Sequence, residues 1–201
     1  MNTLNEFEAD LLFWIQSNLR INGLNQLMQC ASEINNSGML AIGMVVVLLI
    51  WKTYRTVGIT AFTSLLSEFL LVNVLIKQIV ARPRPYVVNE ALAVLGTVPT
   101  DYSFPSGHTA SAFAVASVML LCMPRRYGIS AVAIAVVIAL SRLYNVAHYP
   151  TDVLAGMLIG SVAGFLAVKL VYSRFKDKSN CSAGLRNYIA NKVRFADREK
   201  A

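Results

Sequence analysis

The chain contains two histidines, His108 and His148, and each stands among groups able to act with it on a phosphoryl centre. Asp152 follows His148 by four residues. At that spacing a carboxylate accepts the imidazole proton, fixes the tautomer and leaves the other ring nitrogen free as a nucleophile. Ser141-Arg142 precedes them, so one connection supplies a guanidinium, an imidazole and a carboxylate. His108 closes the run Phe104-Pro105-Ser106-Gly107-His108, in which Pro105 stops a loop and Ser106 suits a helix N-cap. Backbone amides at such a helix start, with Gly107 permitting close approach, form an anion site. Lys77 and Arg84 are seven residues apart, so a helix running to Pro83 aims both toward one side. Arg82 adds a third cation in the stiff segment Arg82-Pro83-Arg84-Pro85.

Singly, each stretch also reads as ordinary structure: a capped helix, a lysine snorkelling to an interface, an aspartate paired with a helix dipole. Together they hold cations that match the charge of a phosphate and of the equatorial oxygens in its transfer transition state. One histidine attacks while the other protonates the leaving oxygen. Asp152 is the only obvious carboxylate of the set, which offers no acidic cluster for magnesium. Neither a metal nor a cofactor is expected.

The elements that must position these groups are apolar. The 201 residues are 56% hydrophobic and 14% charged, with mean hydropathy +0.54, against roughly 25% charged in soluble domains. Five segments reach the roughly 20 residues that a ~30 Å hydrocarbon layer requires, once their flanks are counted. They lie at about Met39–Trp51, Val57–Ile76, Ser111–Met123, Ile129–Leu140 and Val153–Tyr172. The first 38 residues differ, because acids, amides and Arg20 interrupt the apolar positions; they read as an amphipathic helix broken at Asn22–Gly23, with a sixth crossing left open. The expected fold is therefore an all-α polytopic membrane bundle. It comprises an N-terminal segment (1–38), a spanning core (39–173) and a basic tail (174–201) whose Leu185 to Phe195 stretch is expected to lie on anionic lipid.

Of the net charge of +7, the tail supplies +5, from eight Lys/Arg against three acids. A basic flank beside an apolar helix is a cytoplasmic feature attracted to anionic lipid, so nucleic acid is not an expected partner. Lys52 with Arg55, and Arg125 with Arg126, fall on the same side as the tail. Arg82, Arg84 and Arg142 then face outward, against the charge rule, and intramembrane or misplaced charges of that kind are functional candidates. The acidic start lacks a signal-peptide pattern. Cys30, Cys122 and Cys181 show no paired spacing.

At these residues the sequence resembles the type 2 phosphatidic acid phosphatase (PAP2) family, which shares its pocket with vanadium haloperoxidases and glucose-6-phosphatase. The first signature element, a Lys, six residues and Arg-Pro, stands at Lys77 to Arg84-Pro85; Pro-Ser-Gly-His stands at Pro105 to His108. The third is Ser141-Arg142, five residues, His148, three residues and Asp152. The resemblance implies His148 as the nucleophile of a phosphohistidine intermediate, Asp152 as its orienting partner and His108 as acid and then base. It implies Lys77, Arg84, Ser106, Gly107 and Arg142 as the phosphate cradle, with Arg82 auxiliary, and six spans in all.

The expectation is thus a metal-independent lipid phosphatase of the bacterial cytoplasmic membrane, its site facing outward and its C-terminus cytoplasmic. Undecaprenyl diphosphate is the leading substrate. The alternatives are phosphatidylglycerophosphate or phosphatidate hydrolysis, a lipid phosphotransferase, and a non-catalytic lipid-binding protein. The oligomeric state is left open.

Overall fold

The structure is a computed structural model that describes residues 3–175; most of the basic tail, including its Leu185 to Phe195 stretch, lies outside them. All regular elements among the described residues are helical: α1 (Thr3–Leu19), α2 (Asn22–Ile34), α3 (Met39–Ile50), α4 (Arg55–Phe69), α5 (Lys77–Val80), α6 (Pro85–Val88), α7 (Gly107–Cys122), α8 (Arg125–Tyr144) and α9 (Pro150–Phe175).

Three stretches are long and apolar enough to cross a membrane: Lys52–Val88, Arg125–Tyr144 and Pro150–Val171. Asn22–Ile34 and Asn36–Ile50 meet the same test as a pair bent by 42°. The five expected apolar segments are all helical, but α7, with 16 residues, falls short of a full span. The N-terminal break also sits earlier than expected, at Arg20–Ile21, so Asn22–Gly23 opens α2 instead of ending α1. Ser37 and Gly38, both at positive φ (52° and 73°), make the bend that joins α2 to α3.

α7 is the centre of the bundle, buried along most of its length and packed against α4, α8 and α9. Its small residues allow this. Gly156, Gly160 and Gly164 recur every fourth residue on α9 and bring the two backbones together, as small residues do between membrane helices. A Cβ on Gly156 would stand 2.6 Å from the Ser106 carbonyl oxygen. Ala41, Val45, Val57, Val115 and Val118 form one buried cluster among α3, α4 and α7. A second joins α1 to the α6–α7 and α8–α9 connections through Leu12, Leu92, Val146 and Tyr149. The outward faces of α4 and α9 expose Phe62, Leu66, Leu158 and Phe165, as contact with lipid requires.

Candidate active site

The three sequence stretches converge on one cavity of 690 Å³ whose lining includes Lys77, Arg84, Gly107, His108, Arg142 and His148. Lys77 and Arg84 do meet, though not by the expected continuous helix. Ala81 takes a left-handed conformation (φ 45°) and ends α5, and the chain then runs to Arg84 in extended form before Pro85 opens α6. Both cations grip the loop carboxylate of Asp101: Lys77 Nζ donates to Oδ2, and Arg84 Nη2 donates to Oδ1 at 2.5 Å. Arg84 Nε also donates to the Asp101 carbonyl at 2.7 Å, and Nη1 to the Ala147 carbonyl at 2.6 Å. Partial burial would raise the Asp101 carboxyl, but Lys77 and Arg84 outweigh it and hold it at about 2. The sequence reading missed Asp101, a lone acid in a loop with no spacing to mark it.

Arg142, in the last turn of α8, is 4% exposed. Its Nη1 donates to the hydroxyl of Ser32 on α2, while Nε and Nη2 have no partner. Buried guanidinium donors are normally satisfied, and these two are free to bind an anion in the cavity.

His148 is held at both nitrogens. Nδ1 lies 2.7 Å from the Ser103 carbonyl, which can only accept, so Nδ1 carries the proton. Nε2 then offers its lone pair, and Arg84 Nη1 lies 3.3 Å away as a donor. Burial drives the imidazole down to about 3, with Arg84 and Arg142 adding to the effect and Asp152 opposing it. The ring is neutral at ordinary pH.

Asp152 was expected to accept the His148 proton directly; its Oδ2 is 3.7 Å from Nδ1, farther than the Ser103 carbonyl. Its lone pairs serve other donors. Oδ2 accepts from the Ser103 hydroxyl at 2.5 Å and the Tyr149 amide at 2.9 Å, and Oδ1 from Arg82 Nη1 at 2.6 Å. Asp152 thus fixes the residue that fixes His148. Arg82, an auxiliary cation in the sequence reading, is structural here: it also donates to Glu8 at 2.7 Å and stacks on Tyr149 at 3.9 Å. Glu8 in turn accepts the Thr151 amide at 2.7 Å, so α1 caps the start of α9. Ser106 occupies the N-cap position of α7, but its hydroxyl bonds Thr109 Oγ1 at 3.0 Å instead of a backbone amide. Asn35, at the end of α2, donates to the His108 carbonyl at 2.9 Å and steadies that first turn. Ser32, Asn35, Glu8 and Ser103 were not legible as site residues, since their partners lie far away in sequence. No group of three or more His, Cys, Asp or Glu among the described residues is arranged to hold a metal.

Residues 56–176 match the model of the PAP2 superfamily. The chain is 35% identical over 164 residues to the undecaprenyl-diphosphatase of Sulfolobus acidocaldarius, covering 82% of this chain and 78% of that protein. Undecaprenyl-diphosphatase BcrC of Bacillus subtilis is 32% identical over 120 residues; the match covers 60% of this chain and 56% of that protein's length. The crystal structure of the first transmembrane PAP2 type phosphatidylglycerolphosphate phosphatase from Bacillus subtilis shares the fold, with TM-score 0.72, 24% identity and 90% of each chain covered. The signature residues, their convergence and the match over most of the core agree: the chain belongs to the PAP2 superfamily and is an integral membrane phosphatase of that family.

Proposed function

We infer that the protein removes the terminal phosphate of undecaprenyl diphosphate at the outer face of the cytoplasmic membrane, through a phosphohistidine. The observation that carries this reading is the pairing of a neutral, buried His148 with the unpartnered donors of Arg142 on one cavity. The same cavity continues between Ile42, Phe62, Leu66 and Phe69, an apolar lining suited to a prenyl tail. Two relatives named for undecaprenyl diphosphate hydrolysis support the choice of lipid.

In this mechanism His148 Nε2 attacks phosphorus and the bond to the leaving oxygen breaks, that oxygen taking a proton from His108, which arrives protonated with the anionic substrate that offsets the surrounding cations. Arg142, Lys77, Arg84 and the Gly107 amide carry the charge that builds on the three equatorial oxygens. Water then attacks the phosphohistidine, His108 takes its proton, and phosphate leaves with Nε2 restored. Cations from the chain do what a metal does in other phosphatases.

The test is phosphate release by purified protein in detergent with EDTA, comparing undecaprenyl diphosphate, phosphatidylglycerophosphate and phosphatidate, with His148→Ala as control. Preference for the prenyl diphosphate, lost in His148→Ala, is expected. Preference for a glycerolipid moves the enzyme to phospholipid synthesis, and a newly phosphorylated lipid in place of free phosphate makes it a transferase. A cysteine placed at Val88 should be labelled from outside intact cells; labelling only after permeabilisation inverts the orientation.

A further inference from the structure

Glu68 is 1% exposed, its Oε1 has no hydrogen-bond partner, and it lines the cavity that holds His108 and His148. An ionisable group inside a membrane-spanning helix with an unbonded oxygen facing a cavity is a functional candidate. The mechanism above does not use it. An irregularity in the helix puts it there: Leu70–Ile76 is a π-helical stretch between α4 and α5. In an α-helix Glu68 and Asn73 would point about 140° apart. Bonding from i to i+5 widens the turn, so residues five apart return toward one side, and Lys77 stands where the π-helical stretch gives way to α5. All three line the cavity. Asn73 sits beside the phosphate end, where a Cβ added to Gly107 would meet its Oδ1 at 3.1 Å and Lys77 Nζ at 3.8 Å. Glu68 is the member next to Phe69, at the apolar part of the wall.

We propose that Asn73 and Glu68 form a subsite for a polar group lying between the scissile phosphate and the hydrocarbon, the inner phosphate of a diphosphate, and so make the enzyme stop after one cut. The proposal rests on the phosphatase reading above. Removing one phosphate from a prenyl diphosphate leaves a prenyl monophosphate, itself a phosphomonoester. Seated in the cradle, that product brings its first methylene groups against the Asn73 amide and the Glu68 carboxyl and leaves both unpaired. A diphosphate places oxygens there instead. Asn73 Nδ2 donates to one of them, and a proton shared between the Glu68 carboxyl and the inner phosphate completes a hydrogen bond whichever of the two carries it. Sites built to hydrogen-bond a group discriminate strongly against ligands lacking it, because their own buried polar atoms are stranded.

The experiment measures kcat/KM in detergent for farnesyl diphosphate against farnesyl monophosphate, and for diacylglycerol diphosphate against phosphatidate, two pairs that differ by an inner phosphate. Wild type should prefer the first member by about 100-fold or more. Glu68→Leu and Asn73→Leu should each shrink that ratio by about 10-fold or more, while Glu68→Gln, which still hydrogen-bonds, keeps most of it. The ratio is decisive because a merely structural role slows both members alike. Leucine at position 68 replaces an unpaired polar group among apolar neighbours, and Asn73→Leu with Glu68→Gln serves should it fail to fold. No preference in wild type in either pair, or an unchanged ratio in both leucine variants, overturns the subsite. Wild type that ignores both prenyl lipids yet prefers diacylglycerol diphosphate over phosphatidate overturns the prenyl assignment and leaves the subsite standing.

Discussion

Ser103 and His148, 45 residues apart in sequence, meet at 2.7 Å, carbonyl oxygen to Nδ1, and this contact puts the proton on Nδ1 and leaves Nε2 as the nucleophilic nitrogen. Asp152 works at one remove, through the Ser103 hydroxyl and the Tyr149 amide. Asp152→Asn should therefore slow phosphate release by only about 10- to 100-fold, since the tautomer is still set by a backbone carbonyl. His148→Ala should abolish it. Single-turnover kinetics on both variants checks the difference, and equal losses would return Asp152 to a direct role.

Acid should destabilise the protein over a defined window. His148 is held near 3 against about 6.5 in the unfolded chain, so between those values the unfolded state binds the extra proton and stability falls as pH falls. Asp101, held at about 2 against 3.8, acts in the same direction lower down, its contribution present above 3.8 and lost toward 2. Thermal melting in detergent should be level in these two respects above pH about 6.5 and decline steadily toward pH 3. A stability maximum near pH 4 would contradict the burial of a neutral His148.

The unpartnered donors of Arg142 separate binding from folding. Arg142→Met should keep or raise the melting temperature, because it removes a buried charge whose Nε and Nη2 have no partner. It should also weaken phosphate and vanadate inhibition by about 10- to 100-fold, the worth of one or two hydrogen bonds from a charged group. Inhibition constants and melting curves on one preparation test both halves.

Asp101 is 51% exposed and occupies both Lys77 and Arg84, so an arriving phosphate competes with an internal carboxylate. Asp101→Asn should lower the inhibition constant of vanadate by several-fold. A weaker inhibition would mean that Asp101 chiefly holds the two cations in place.

α1 bears on the site through one side chain. Glu8→Ala strips a partner from both Arg82 and the Thr151 amide, a loss of about 1–3 kcal/mol in a buried network. The melting temperature should drop, and a variant melting like wild type would show that α1 is not docked in solution.

Much of this site could be read directly from the chain. His108, His148, Lys77, Arg84 and Arg142 line the cavity, and each lies in a short run whose residue types announce the chemistry. What escaped was the framework around them. Glu8 finds Thr151 across 143 residues and Ser32 finds Arg142 across 110, distances over which local spacing carries no information. The π-helical turn was equally hidden, because nothing in Leu-Leu-Val-Asn-Val-Leu-Ile sets it apart from an α-helix. The N-terminal helices read from sequence as amphipathic, with a sixth crossing left open, because their composition is half polar; the structure turns several of those polar groups, Glu8, Ser32 and Asn35, inward to the bundle. The glycines of α9 were a signal in plain view, every fourth residue from 156 to 164.

The shortness of α7 has a bearing on where the reaction happens. α7 and α8 share one end, joined by Met123–Pro124, yet α7 has 16 residues and α8 has 20. At 1.5 Å per residue they measure about 24 and 30 Å, so the tip bearing Gly107 and His108 stops about one turn below the far end of its neighbour. The site therefore lies about one helical turn inside that end of the bundle, with the loop around Leu95 bonded to Asn145 beyond it. At that depth His108 and His148 share one cavity with the apolar Ile42, Phe62, Leu66 and Phe69, so charged and hydrocarbon surfaces meet inside the bundle and not at its rim.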